Sequence, residues 1–310
     1  MDNAFQLSRR QFLRLTRATA DMARSPLEPY VDADGLTPQG AFYRQQLSGV
    51  PAVDLARWSV YVDGFVRRPR GWTADELRLN DWQETRCTLL CAGHSPRNTL
   101  IGTARWGGVP LGSLLRQMDV GAGARYVQLT CADGYRTSLP LAAAADVLLA
   151  LEMNGQPLPP EQGQPLRLIA PGLYGYKMPK WIQQITLTSA PLTGYWEGRG
   201  LPEDGRVAVM SLFFQPGHEA RVTEIVRLYG AAFAGQQKVA RVEVSADDGA
   251  WMPARFEPAS AGEWVLWQQE WQAPQPGVYA LRVRAIDEQG RVQSEGIHQR
   301  VVHVIGKQAW

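Results

Sequence analysis

The sequence predicts an α+β domain followed by an immunoglobulin-like β-sandwich. Up to about residue 195, short strands and helices alternate without regular βαβ repetition, which is typical of α+β domains. The turn-rich stretch PLTGYWEGRGLPEDGR (191–206) is predicted to be a linker. Beyond it, alternating strands recur between turn motifs with no cysteine pair, the pattern of an antiparallel sandwich. We therefore divide the chain into an N-terminal segment, a first domain and a second domain, at 1–29, 30–195 and 206–306.

The first domain takes its predicted elements from local patterns. Apolar residues alternate or run together between Gly, Pro and Asp, and these runs predict strands over 58–66, 85–91, 125–132, 165–171 and 180–189. Helices are predicted over 73–82, 109–118 and 141–155. The first of these helices has Thr73 at its start and Glu76 three residues later, the spacing of a capping box. Gly155 is predicted to end the last one.

The second domain is predicted from strand-like segments alone. These segments alternate apolar and polar residues, and DDG, PAS and PQPG turns separate them. The predicted strands cover 225–234, 239–247, 263–272 and 277–287.

Charge and hydropathy argue against two classes of protein. The formal net charge is +2 over 310 residues and the folded region has no basic tract, so nucleic-acid binding is not expected. No apolar run approaches the ~18 residues that a membrane-spanning helix needs.

Near the start, SRRQFL (8–13) has the core of a twin-arginine export signal. Arg14, Arg17, Asp21 and Arg24 interrupt the apolar stretch that should follow, so the signal is incomplete, and an amphipathic helix is the alternative.

The three cysteines leave several chemical roles open. Their odd number does not fit a disulfide framework. Cys87 and Cys91 are four residues apart, which suits neither a CxxC redox motif nor a zinc knuckle. Cys91 ends an apolar run and enters the loop AGHSPRN (92–98). Taken by itself, Cys91 is a core residue, a nucleophile, half of a disulfide or a metal ligand, and Cys87 and Cys131 are predicted to be small buried residues.

An ordered set of motifs resembles one enzyme family. The motifs are TLLCAGH (88–94), IGTARWGGVPLGSLL (101–115), ADGYRTSLPL (132–141) and a long segment from 146 to 181 that ends in GLYGYKMPKW. Together they resemble the sulfite oxidase family of molybdenum–molybdopterin oxidoreductases. The domain that follows is similar to the family's C-terminal domain, which often mediates dimerisation.

The resemblance implies one molybdenum–molybdopterin cofactor per chain, with Cys91 as the protein ligand of the metal. A soft thiolate stabilises high-valent molybdenum, as further sulfur donors do. Tyr135 matches the tyrosine that lies beside the metal in this family, where its phenol can donate to a developing anion. The sequence has no CxxCH motif, so no haem is expected.

The resemblance also implies contacts to the pterin and its phosphate. Arg167 in PEQGQPLR and Lys180 in KMPKW match basic contacts, and fixed positive donors are what a buried phosphate requires. Two of the chain's four lysines lie in YGYKMPKW, which fits a specific anion contact as well as chance clustering. Gln162 stands where relatives carry a His or Asn contact. Further contacts implied by the matching segments, including AFYRQQLSGVP (41–51), are Tyr43, Arg44, Met178 and Pro179.

The loop after Cys91 departs from the pattern of sulfite-oxidising relatives. Those relatives often carry GNRR there, and one of its arginines holds the sulfite dianion. In AGHSPRN, His94 replaces the asparagine, Pro96 falls on the arginine position and Arg97 comes one residue later. Arg97 and His94 are therefore candidate substrate contacts.

The expected function is oxygen-atom transfer at a small sulfur compound, with sulfite to sulfate as the lead reaction. Electrons are expected to pass to a separate carrier such as a cytochrome, because no haem motif is present. The alternatives are a methionine-sulfoxide-type reductase on the same fold, a cofactor-free binding protein, and a thiol-redox protein using Cys87 and Cys91. The resemblance further implies a homodimer and a periplasmic location; since the export signal is incomplete, a cytoplasmic location is the alternative.

Overall fold

The structure is a computed structural model that describes residues 31–93, 100–294 and 296–306. The export-signal prediction and the candidate contacts His94 and Arg97 lie outside the described residues. The chain divides into two compact units. One comprises 38–93 and 100–206, and the other contains the described residues from Val207 onwards together with 31–37. Among the described residues, no helix is long and apolar enough to cross a bilayer.

The first unit consists mainly of β-strands. Its two α-helices are short, α1 at Ala74–Arg78 and α2 at Leu111–Arg116. Single turns of 3-10 helix occur at Gln39–Ala41, Leu141–Asp146, Pro160–Gln162, Gly175–Lys177 and Glu197–Arg199. The strands are β1 Val60–Gly64, β2 Arg70–Trp72, β3 Gln83–Leu90, β4 Ile101–Pro110, β5 Tyr126–Cys131, β6 Arg136–Pro140, β7 Leu148–Met153, β8 Gln156–Pro157, β9 Arg167–Ile169 and β10 Ile182–Thr188.

These strands form two sheets around one hydrophobic core. The first sheet has the order β2-β1-β10-β5-β6, in which β1 and β10 are parallel and the other pairs antiparallel. The second has the antiparallel order β3-β4-β7-β8, and β9 pairs with the other end of β7. Strand β5 alternates buried and half-buried residues, as a strand with one face on the core should. The core includes Trp72, Trp106 and Ile185, all at 1% exposure or less.

The predicted capping box is present at α1. Thr73 accepts from the backbone N–H of Glu76, and the Glu76 carboxylate accepts in return from the backbone N–H of Thr73. This exchange satisfies two donors that a helix start would otherwise leave unpaired, and it lowers the pKa of Glu76.

The predicted helix over 141–155 is wrong, and the first unit has fewer helical residues than predicted. Only Leu141–Asp146 is helical, as a 3-10 turn, and β7 follows at once. Strand β7 is almost wholly buried between β4 and β9, so its neighbours outweigh the helix preference of LLALEM. Asn154 and Gly155, which the helix prediction treated as a cap, both have positive φ and form the two-residue turn of the β7–β8 hairpin.

Two further predictions about the first unit need correction. Val109 and Pro110, predicted to start a helix, end strand β4, which the patterns did not predict at all. The predicted linker 191–206 packs on the first unit instead. Ser138 exchanges hydrogen bonds with the backbone of Leu192, and the Tyr174 N–H donates to the Gly205 carbonyl.

The second unit is a pair of sheets around a separate core. Its strands are β11 Met210–Gln215, β12 Ala220–Val222, β13 Ile225–Phe233, β14 Val239–Ala246, β15 Met252–Pro253, β16 Arg255–Phe256, β17 Val265–Gln272, β18 Gly277–Asp287 and β19 His298–Val304. The sheet orders are β11-β13-β17-β16 and β12-β19-β18-β14-β15. The four predicted strands correspond to β13, β14, β17 and β18; β11 and β19 were missed. Assignment to the immunoglobulin type stays a prediction.

Candidate functional site

Cys91 lies where strand β3 opens into a loop. Strands β3 and β4 pair in continuous register up to Leu90 and Ile101, and the Cys91 N–H then donates to the Leu100 carbonyl at 3.0 Å. Cys87 and Cys131 are buried, whereas Cys91 is partly exposed. Burial raises the pKa of the Cys91 thiol, and the Gly93 N–H, 3.4 Å from Sγ, acts in the opposite direction. Of the three cysteines, Cys91 is therefore the one that a ligand can reach.

The geometry of β3 argues against a disulfide between Cys87 and Cys91. Neither residue forms a disulfide within the described residues, and Cys87 is fully buried within the strand. Four residues of extended chain span about 13 Å. A disulfide requires Cα atoms within about 7 Å, so the thiol-redox alternative would need the strand to break.

A buried arginine, Arg167, interacts with Tyr43, and the Tyr43 phenol in turn interacts with Cys91. Arg167, at the start of β9, donates through Nη1 to the side-chain and backbone oxygens of Gln162, at 3.0 and 3.1 Å. Gln162 Nε2 donates in turn to the Tyr43 carbonyl at 3.0 Å. Burial raises the pKa of Tyr43, and the nearby Cys91 raises it further. These contacts link the guanidinium of Arg167 and the amide of Gln162 to Tyr43, the residue that interacts with Cys91.

Within the described residues, no carboxylate forms a salt bridge with Arg167. The side chain is 4% exposed, and its guanidinium stacks 4.8 Å above the Trp106 ring. Its Nε has no hydrogen-bond partner in the described part of the chain. Burial lowers its pKa to about 10. An isolated buried cation is costly, so an anion bound here would be strongly stabilised.

Lys180 places a second cation beside Arg167. The backbones of the two residues form an isolated β-bridge, and Gly163 (φ +110°) lies against both, since a Cβ at that position would be 3.0 and 3.1 Å from their Cβ atoms. Lys180 Nζ donates to the Glu161 carbonyl at 2.9 Å. Burial, and then the charge of Arg167, lower the pKa of Lys180 to about 7. Two adjacent basic side chains of this kind would be suited to holding an anion.

Tyr135 follows strand β5 and is held by a turn of the chain that also approaches Cys91. Its hydroxyl donates to the Tyr176 carbonyl at 2.7 Å. Two residues earlier, Tyr174 forms a β-bridge with Leu90, the residue before Cys91. Burial raises the pKa of Tyr135, so the phenol stays protonated and remains a donor at neutral pH.

Comparison with known proteins assigns this arrangement. Residues 47–196 match the family model described as the oxidoreductase molybdopterin binding domain. Mitochondrial sulfite oxidase of Mus musculus is 29% identical over 322 residues, which cover 84% of this chain and 58% of that protein. Residues 47–196 are therefore a molybdopterin-binding domain of the oxidoreductase type, and the chain is similar to sulfite oxidase. Its cofactor is therefore molybdenum–molybdopterin.

A second relative and a solved structure extend the comparison. The NADPH nitrate reductase of Fusarium oxysporum is 30% identical over 296 residues, which cover 77% of this chain and 33% of that protein. The chain thus spans about a third to three fifths of the length of these curated relatives. The crystal structure of the sulfane dehydrogenase SoxCD from Paracoccus pantotrophus matches with a TM-score of 0.79 at 23% identity. That match covers 87% of this chain and 83% of that chain, and it shows a common fold.

The residues of this chain fit molybdopterin. Within the described residues, no group of three or more His, Cys, Asp and Glu side chains could hold a metal on its own. That absence of a protein cage is compatible with a metal held by a single thiolate, that of Cys91, together with the cofactor's own sulfurs. Arg167 and Lys180 would hold the phosphate, because their charges have no carboxylate partner in the described part of the chain.

The other residues of this chain that were predicted to contact the cofactor are placed less favourably for that role. The Arg44 side chain is exposed. The Met178 side chain belongs to the hydrophobic core, and its N–H already donates to the Gly175 carbonyl. The Pro179 carbonyl accepts from the Leu168 N–H, so these two backbone groups are already used.

Two features of the site were not found from the sequence. The packing of Trp106 under the Arg167 guanidinium depends on the pairing of β4 with distant segments, so local patterns did not predict it. Lys177 was noted only as part of a lysine cluster, yet it forms a buried ion pair with Glu197. The scarcity of lysine was the available signal for Lys177, whereas nothing local distinguished Glu197.

The depressed pKa of Lys180 predicts a pH-dependent stability in protein produced without molybdopterin. Between pH 7 and 10 the unfolded chain binds this proton more tightly than the folded chain, because the pKa falls from 10.5 to about 7 on folding. The free energy of unfolding should therefore rise over that interval and stay flat, for this group, below pH 7. Lys180→Gln should remove a rise on the order of 2–4 kcal/mol, measured by urea unfolding at several pH values. The exposed Lys238→Gln variant should keep the slope of the wild type, and equal slopes for all three proteins would refute the assignment.

Proposed function

We propose that this protein transfers an oxygen atom at a small sulfur oxyanion, with the conversion of sulfite to sulfate as the lead reaction. Sulfite and water give sulfate, two protons and two electrons, and a separate carrier such as a cytochrome takes the electrons. The observation that carries the proposal is the accessible thiol of Cys91, together with two adjacent basic residues, Arg167 and Lys180, that form no salt bridge within the described residues. The similarity to sulfite oxidase supports it as well.

Each side chain has a definite task in this proposal. When bound, the cofactor supplies a metal that exchanges two electrons as the oxygen atom is transferred. Cys91 contributes a thiolate, and the Gly93 N–H favours that charged form. Gln162 orients Arg167, whose charge attracts the phosphate.

Tyr135 is proposed to act at the substrate side. In this structure its one hydroxyl proton is donated to the Tyr176 carbonyl; turned towards a developing negative charge instead, that proton would stabilise a transition state. His94 and Arg97 remain proposals as substrate contacts, made from the sequence of the loop.

Nitrate reduction is the second candidate. The similarity of 30% to the nitrate reductase of Fusarium oxysporum favours it. In that reaction nitrate, two protons and two electrons give nitrite and water, so electrons flow in the opposite direction through the same site.

The test combines metal analysis with assays in both directions. Molybdenum and pterin are quantified per chain; sulfite oxidation is followed with cytochrome c or ferricyanide, and reduction of nitrate and of methionine sulfoxide with reduced viologen. Sulfite turnover without turnover of the other two supports the proposal. Nitrate or sulfoxide turnover alone would replace it with the corresponding reductase. If protein purified after expression with ample molybdate contains no molybdenum, the remaining alternative is a cofactor-free binding protein.

We also propose, from the family resemblance, a homodimer and a periplasmic location. The SRRQFL motif supports export, and the charged residues after it oppose export. Sedimentation of the purified protein and fractionation of expressing cells test the two points separately.

A further inference from the structure

A buried ion pair lies behind the turn that holds Tyr135. Lys177 and Glu197 have side chains exposed by 2% and 1%, and Nζ lies 2.5 Å from Oε1. Lys177 Nζ also donates to the Ser138 carbonyl at 3.1 Å, and the Thr137 hydroxyl donates to Glu197 Oε1 at 2.8 Å. Strand β6 thus supplies further partners to both members of the pair.

Stability alone does not account for such a pair. Removing two charges from water costs about as much as their attraction returns, and well-packed apolar side chains often stabilise a core as much or more. Glu197 Oε2 is buried and has no hydrogen-bond partner within the described residues, so the pair is not fully satisfied. What the pair does provide is one defined position for Lys177, because Nζ must meet Glu197 and Ser138 together.

Lys177 belongs to a short turn that touches the main parts of the candidate site. In this turn, residues 174–178, Tyr174 bridges Leu90 beside Cys91. Gly175 lies against Tyr43, since a Cβ at Gly175 would be 3.1 Å from the Tyr43 hydroxyl. The carbonyl of Tyr176, the neighbour of Lys177, accepts from the Tyr135 hydroxyl.

The segment that carries Glu197 holds this turn at further points. The Tyr176 hydroxyl donates to the Pro202 carbonyl at 2.6 Å, and the Tyr174 N–H donates to the Gly205 carbonyl at 2.7 Å. Gly205 also leaves room for the Lys177 stem, because a Cβ there would lie 2.4 Å from Lys177 Cγ. Residues 197–206 therefore hold the 174–178 turn at Tyr174, Tyr176 and Lys177.

We propose that Glu197 is a positioning residue: through Lys177 it fixes the Tyr176 carbonyl and so sets the place of the Tyr135 hydroxyl. The inference rests on the proposed function in one respect, the use of Tyr135 at the substrate. The positioning itself depends only on the contacts of the turn.

The kinetic test is a double-mutant cycle between Glu197 and Tyr135. Glu197→Gln keeps the shape of the side chain and removes its charge, so kcat should fall about tenfold with KM changed less than about twofold. In a Tyr135→Phe background, Glu197→Gln should have less than a twofold further effect, because the hydroxyl that it positions is gone. Equal fold-losses in both backgrounds would overturn the inference. Glu203→Gln, an exposed carboxylate in the same segment, is the matched control and should behave as wild type.

Hydrogen exchange tests the positioning without reference to activity. In Glu197→Gln holoenzyme, amides of residues 174–178 should exchange at least about tenfold faster, with strand β10 unchanged. Unchanged exchange in this turn would overturn the inference whatever the protein turns over. By contrast, faster exchange in Glu197→Gln, together with full activity of Tyr135→Phe, would contradict the proposed function and leave the positioning standing.

A second variant guards against a folding defect. The combined change Lys177→Met and Glu197→Leu replaces the pair with apolar side chains of similar size, which cores tolerate. It should keep the thermal midpoint of the wild type within a few degrees and still lose about tenfold in kcat. A folded double variant with the kcat of the wild type would overturn the inference.

Discussion

The Cys91→Ser variant should lose at least about a thousandfold in kcat while its fold and thermal midpoint stay close to those of the wild type. Serine has nearly the shape of cysteine, but its oxygen is a harder donor, and its hydroxyl does not ionise at neutral pH as a thiol does on binding a metal. Cys91 is partly exposed at a strand end, so the change removes little packing. The measurement is steady-state turnover of whichever substrate the wild type uses, with circular dichroism and molybdenum content on the same samples.

Cys87 and Cys131 provide the controls for this result. Both are buried in the hydrophobic core, and Cys87→Ala and Cys131→Ala should therefore lower stability by about 1 kcal/mol each without a comparable loss of kcat. Turnover by Cys91→Ser at the rate of the wild type would eliminate Cys91 as the ligand. If Cys87→Ala keeps native stability but loses a thousandfold in kcat, the metal ligand is Cys87 instead.

The Arg167→Met variant should lower the pterin content per chain at least about tenfold. Methionine keeps an unbranched stem above Trp106 and removes the charge, so the loss reports on attraction to the phosphate instead of packing. Although the pterin content falls, the stability of the cofactor-free protein should not fall. Because Arg167 is buried with an unpaired Nε, removal of its charge should leave the free energy of urea unfolding equal to or above that of the wild type.

The matched control is the exposed residue Arg105, in the same motif as Trp106. Arg105→Met should retain the pterin content of the wild type, measured by fluorescence after oxidative release. Wild-type occupancy in Arg167→Met would contradict the role of Arg167. Marked destabilisation of cofactor-free Arg167→Met would show instead that the cation stabilises the fold itself.

Several elements of the fold followed from local patterns because their causes are local. The capping box at Thr73 depends on residues three apart, and the alternation in β5 and β10 depends on a face that meets the core. The helix predicted over 141–155 failed for the opposite reason. Strand β7 is held by neighbours on both sides, and a one-dimensional pattern does not contain them.

The candidate site divides in the same way. Motif order along the chain was enough to indicate the family and to single out Cys91, Arg167 and Lys180 as candidates. The hydrogen bond from Gln162 to Tyr43 joins residues 119 positions apart, and its partners were predicted separately with no link between them. Glu197 fell within a predicted linker, although it is buried against Lys177.

The sequence was therefore sufficient to predict which chemical groups the site needs: a thiolate, a phenol, and cations for a phosphate. Folding determined how those groups behave. Arg167 and Lys180 have depressed pKa values because strands from distant positions exclude water from them and bring the two charges together. Tyr135 and the pair of Lys177 with Glu197 meet at one turn for the same reason. Burial and electrostatic environment are properties of neighbours in space, and chain order does not specify them.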